Sequence, residues 1–164
     1  MHIRNTDILN YETRTAITYG ANYDRNQFAR EIGQNNLKIA KLAYPILKEK
    51  LELPDTVWIR VCGIKSPRWD GRYWSSNKIA EVDYRLASRQ FLEVLCHELV
   101  HAEQYQIGKL NWIVKGSRSL NCWNGEVVTG EYRSLPWEKE AFERQVILAN
   151  QVMVESEEIK TLVI

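Results

Sequence analysis

The segment SRQFLEVLCHELVHAEQYQIG, residues 88–108, constrains this chain more than any other stretch. Its apolar residues Leu92, Leu95, Leu99 and Ala102 recur at helical spacing and form one stripe. Ser88 suits an N-cap and Gly108 a C-terminal stop, so the segment predicts one long amphipathic helix. A helix turns about 100° per residue, which puts His97 and His101 about 40° apart, one turn from each other. Both imidazoles then reach a single point on the face that also carries Gln90, Glu93, Gln104, Tyr105 and Gly108. The back of such a helix is expected to be buried and its histidines to face a cleft. Cys96 turns about 100° away from His97 and reads as packing.

Two histidines at this spacing, with Glu98 after the first, form the H-E-x-x-H pattern. Zinc takes about four tetrahedral ligands, and a catalytic site leaves one position to water. Glu98 flanks the histidine face, where a carboxylate can take a proton from a metal-bound water. The third protein ligand is narrowed by counting. The one other histidine, His2, sits in a polar terminal stretch, so a carboxylate is the stronger choice. Downstream, LPWEKEAFERQ sets Glu138, Glu140 and Glu143 at the start of a helix opened by Pro136, any of which could supply it. Acidic residues also favour a first helical turn through the helix dipole alone. Cys122 is a lesser alternative, since a lone cysteine is more often a small buried residue.

The remaining segments predict an α+β domain with a small mixed sheet. DRNQFAREIGQNNLKIAKLAYPILKEKLEL reads as helix: Asp24 and Gln27 are spaced as a capping box, and Phe28, Ile32, Ile39, Leu42, Ala43 and Ile46 recur at helical intervals. Pro45 is expected to kink or divide it. DTVWIRVCGI alternates Val57, Ile59 and Val61 with Trp58 and Arg60, a strand pattern, and Asp70-Gly71 marks a turn. RYWSSNKIAEVDYRL predicts one or two short strands with Ile79 and Val82 inward. Residues 109–133 read as loop plus a hairpin around Asn124-Gly125, and the tail after the last helix as a weak pattern that frays. No repeat, low-complexity stretch or linker composition divides the chain. One domain over 1–164 is expected, its motif-bearing core at about 56–155.

Composition sets limits. A formal net charge of +1 gives no strong electrostatic drive toward nucleic acid or anionic membrane. No apolar run reaches the roughly 18 residues of a membrane span, and MHIRNTDILNYE lacks a signal peptide's apolar core. Three cysteines without a CxxC pair argue against a disulfide framework, so a cytoplasmic location is expected. Five of the six tryptophans lie between positions 58 and 123 and are read as packing in the sheet.

HELVHAEQYQIG followed by YRSLPWEKEAF resembles the zincin-like metallopeptidases of the gluzincin type, small phage and bacterial members especially. The likeness covers roughly residues 79–145. It implies a zinc-dependent peptide hydrolase with one zinc ion, His97 and His101 as ligands and Glu98 as general base. Glu138, three before Ala141, is implied as third ligand, with Glu140 in reserve. The family commonly has an aspartate four residues after the ligand glutamate, supporting a histidine; here Phe142 stands there, so another carboxylate or a backbone carbonyl is expected to orient the imidazoles. Tyr132, Arg133 and Tyr105 are candidate donors to the developing oxyanion. SNKIAEVDY matches in order the edge strand to which zincin substrates add, which implies a protein or peptide substrate. Two rival readings stay open: a zinc hydrolase of a non-peptide substrate, and a non-catalytic binding protein that keeps the fold.

Overall fold

Val57, Ile59 and Val61 alternate with polar or half-exposed neighbours. In the computed structural model of the protein, which describes residues 8–10, 15–17 and 27–163, all three are in the core. Two short strands, β1 (Ile8–Asn10) and β2 (Thr15–Ile17), pair antiparallel. The helix α1 (Gln27–Lys50) follows, then β3 (Trp58–Cys62), β4 (Gly71–Trp74) and β5 (Ile79–Asp83). These last three form a mixed sheet in the order β3-β5-β4, with β5 parallel to β3 and antiparallel to β4. The helix α2 (Ser88–Gln106) leads to a second sheet of β6 (Leu110–Lys115), β7 (Arg118–Trp123) and β8 (Glu126–Val127). A short 3₁₀ turn at Tyr132–Ser134 precedes α3 (Pro136–Glu155) and α4 (Glu157–Val163). The class is α+β, as the pattern of periods implies.

The core draws on every helix and on one face of the first sheet. Ile39, Ala43 and Leu47 of α1, Ile59 and Val61 of β3, and Leu92, Leu95 and Leu99 of α2 are all fully buried. Ala149 and Val152 of α3 and Ile159 of α4 close it. The packed unit therefore extends past residues 56–155 at both ends. Asn36 joins α1 to the start of α2: its Nδ2 donates to the carbonyls of Tyr84 (3.0 Å) and Leu86 (2.8 Å).

Several expectations need correction. Pro45 does not divide its helix, because it lies on the exposed side, where water can take the carbonyl freed by its missing N–H. The predicted capping box begins at Asp24, outside the described residues, as is His2. Ser88 is the first helical residue rather than the cap; Ala87 holds that position, and Ser88 Oγ accepts from Asn35 Nδ2 at 2.7 Å. Ala80 and Val82, not Ile79, face the core, since alternation along β5 allows only one parity inward. The hairpin at Asn124-Gly125 forms with both residues at positive φ, but a second one precedes it, turning at Gly116-Ser117. The tail is helical, anchored by Ile159. SNKIAEVDY is also not an edge: β5 is hydrogen-bonded on both sides, and β3 and β4 are the outer strands of this sheet among the described residues.

The outer face of the first sheet is held by one acid. Arg60, Glu81 and Arg72 stand in register across three strands, and the buried Glu81 carboxylate accepts from Arg60 Nη1 (2.7 Å), Arg72 Nε (2.6 Å) and Trp74 Nε1 (2.9 Å). Burial alone would raise its pKa; hydrogen bonds from Trp74, Arg72 and Arg60 bring it below the ordinary 4.5. A depressed carboxylate stabilises the fold above its unfolded pKa, and that contribution is lost as pH falls through the folded value. Glu81→Gln is expected to cost about 1–3 kcal/mol at pH 7. Urea unfolding should show the gap between wild type and variant narrowing below pH 4.5; an unchanged gap at pH 3 contradicts this assignment.

Candidate metal centre

The helices α2 and α3 run antiparallel, and a polar seam records their register. Arg89 Nη2 donates to Asn150 Oδ1 (2.8 Å) at one end and Gln104 Nε2 to the Trp137 carbonyl (3.1 Å) at the other. Arg144 pairs with Glu103 between them. Pro136 starts α3 with its φ already helical and no N–H to satisfy, which puts Glu138 in the first turn opposite His97 and His101.

Three groups converge there. His97 Nε2 lies 3.2 Å from Glu138 Oε2, His101 Nε2 lies 3.5 Å from Glu138 Oε1, and the two Nε2 atoms are 3.1 Å apart. All three residues are buried. A tetrahedral ion with bonds of about 2.0–2.1 Å separates its ligand atoms by about 3.3 Å, so the cluster has the dimensions of a metal site. Among the described residues it is the one His, Cys, Asp and Glu group of that kind, and Cys122 and Glu140 are not in it. Glu140 instead pairs with Lys109 Nζ at 2.7 Å.

The outward nitrogens show why the inward ones are free. His101 Nδ1 lies 2.8 Å from Gln104 Oε1, and His97 Nδ1 lies 2.9 Å from Gln145 Oε1. Gln104 donates through Nε2 to a backbone carbonyl, so its Oε1 must accept and His101 Nδ1 must carry the hydrogen. The His101 Nε2 lone pair therefore points at His97 Nε2 and the Glu138 carboxylate, and His97 Nε2 does likewise when its own Nδ1 donates to Gln145 Oε1. Such a set would stabilise positive charge at its centre, whether a proton or a metal ion. Burial would lower the His101 pKa, but hydrogen bonding to Glu138 and the charges of Glu98 and Glu138 raise it. Burial would likewise raise Glu138, and hydrogen bonds from His101 and His97 bring it to about 2. A buried His-His-Glu group of this kind can hold a metal ion.

The imidazoles are thus oriented by two amide oxygens, not by the carboxylate or backbone carbonyl expected. Phe142, where an acid was looked for, packs its ring edge on His97 with centroids 4.7 Å apart, and Gln145, one turn further along α3, takes the supporting role. Gln145 went unread because its relevance depends on how α3 docks. The sequence signal that could have found it is its spacing of seven residues, two helical turns, from Glu138.

Glu98 is buried beside the cluster, and burial pushes its carboxyl up to about 7 against the pull of His101 and His97. Gly71 lets it sit there: a Cβ at that position would lie 2.6 Å from Val94 Cγ1, 2.8 Å from Glu98 Oε1 and 3.0 Å from the Glu81 carbonyl. The glycine read as a turn signal is instead where strand and helix touch. Tyr132 is brought to the cluster, hydrogen-bonded to Glu138; burial and that bond hold its hydroxyl protonated. Arg133 lies over the Phe142 ring at 5.2 Å, and Tyr105 packs on Tyr73.

Two cavities meet at this point. One of about 430 Å³ reaches His97 and Glu98 from the side of Gln145 and Phe142. The other, about 160 Å³, reaches Glu98, His101 and Glu138 from the side of Tyr73 and Tyr105. Trp69, Gly71, Glu98 and Tyr132 line both.

Gln145→Leu should leave the fold intact and weaken metal binding about 10–100-fold, the usual cost of removing a histidine's outer partner. Competition against a chromophoric chelator measures it, and unchanged affinity would show that Gln145 has no such role. Comparison with protein-family models, with curated proteins and with solved structures returns no match.

Proposed function

We propose that the chain is a zinc-dependent metallopeptidase of the gluzincin type, with His97, His101 and Glu138 holding one zinc ion and Glu98 as general base. The observation that carries this reading is the position of Glu98: a buried carboxyl with pKa about 7, lining both cavities beside the three convergent groups. A purely structural metal site has no use for a protonatable acid at its open side. Zinc is favoured over harder ions by two imidazoles and one carboxylate at tetrahedral separations.

A bound zinc ion would supply Lewis-acid polarisation of water and of the substrate carbonyl. Glu98 accepts the proton that water loses as its oxygen bonds to the carbonyl carbon, and delivers it to the amide nitrogen as the C–N bond breaks. The Tyr132 hydroxyl, adjacent to Glu138, is the donor best placed for the developing oxyanion. A peptide is the favoured substrate because β4, which meets both cavities at Gly71, has one side without a strand partner among the described residues, where an extended chain could add.

The test uses protein purified without a histidine tag and loaded with zinc. Wild type is expected to hydrolyse a quenched-fluorescence peptide library. Glu98→Gln should retain one zinc per chain with a rate about 10²–10⁴-fold lower. Equal rates in the two proteins would eliminate Glu98 as the base.

A further inference from the structure

The two cavities differ in chemistry, and the difference describes a substrate. The smaller is walled by Tyr73, Tyr105, Leu110 and Trp137, and its one arginine, Arg72, is bound to Glu81. The larger contains Arg68 and Arg133, neither of which has an acidic partner among the described residues. Of its three acids, Glu93 pairs with Arg89 Nε at 2.6 Å, Asp70 accepts from the neutral Gln90 Nε2 at 3.0 Å, and Glu98 is the group assigned as base, so the two arginines are the cavity's cations without an ion-pair partner among the described residues. Arg133 has one contact that brings it to the site. Its guanidinium lies 5.2 Å from the centre of the Phe142 ring, and Phe142 meets His97 edge to face, so this contact places a positive charge beside the cluster.

Strand β4 supplies direction. Arg68 and Asp70, before the shared Gly71, line only the larger cavity, whereas Arg72 and Tyr73, after it, line only the smaller. A peptide added antiparallel to the free edge of β4 therefore runs from the smaller cavity to the larger. Antiparallel addition continues the β5–β4 pairing and is the more stable of the two.

Resting on the metallopeptidase reading, we propose that the substrate carries a carboxylate immediately C-terminal to the scissile bond, bound by Arg133 with Arg68. A large apolar or aromatic side chain on the N-terminal side fills the smaller cavity. The carboxylate belongs either to an acidic side chain or to the free chain end.

The experiment pairs binding with turnover. Zinc-loaded Glu98→Gln protein is titrated with amidated peptides containing Phe-Glu, Phe-Gln or Phe-Lys, and with a peptide ending in Phe-Ala carrying a free carboxylate. The Phe-Glu peptide or the free acid is expected to bind at least about tenfold tighter than Phe-Lys, and whichever is tighter identifies the source. Arg133→Gln should remove the preference and Arg133→Glu should turn it toward Phe-Lys. Arg133 is exposed, so both variants should keep the wild-type melting temperature. Equal binding of all four peptides, or a preference that survives Arg133→Glu, overturns the inference. Hydrolysis by wild type without charge preference sinks the inference alone. Charge-selective binding without hydrolysis by wild type sinks the peptidase reading and with it the placement at a scissile bond, and leaves only a peptide-carboxylate site at Arg133 and Arg68.

Discussion

Two imidazole nitrogens 3.1 Å apart, both facing one buried carboxylate, form a set that positive charge at its centre would stabilise. The surrounding structure holds them in that arrangement. Gln104 and Gln145 fix the outward nitrogens, and the Arg144–Glu103 pair helps lock α3 against α2. Pro136 places the first turn of α3 where Glu138 completes the set. A hydrophobic core does not require any of this. Buried polar groups cost stability unless paired, and a cation at the centre would pair every member of this cluster.

The helix α2 connects that constraint to the fold. Leu92, Leu95 and Leu99 bury its back in the common core, so its front cannot rotate away from α3. Its other flank meets β4 at Gly71, where the absence of a side chain admits Glu98. The edge strand, Glu98 and the convergent histidines are thereby positioned by one rigid element, the form of support that precise sites need.

Much of this was legible from residue order because it depended on local periodicity. The 3.6-residue stripe of α2, the alternation of Val57, Ile59 and Val61, Pro136 as a helix opener and Asn124-Gly125 as a turn all act within a few residues of chain. The His97–His101 spacing belongs to the same class, and counting histidines sent the third group to an acid. Choosing Glu138 over Glu140 required the family resemblance, since both stand in the same turn of α3. The docked structure separates them by what they face, the histidines or Lys109.

What could not be read depended on tertiary arrangement. Strand order is not local, so SNKIAEVDY was mistaken for the edge that β4 provides. Gln145 looked like any polar helix residue until α3 was laid against α2, and Phe142 left no hint that an amide would replace an acid. Diffraction data collected at the zinc absorption edge, from crystals of the zinc-loaded protein, test the central claim most directly. The account predicts one anomalous peak bonded to His97 Nε2, His101 Nε2 and Glu138; no peak there, or one elsewhere, would contradict it.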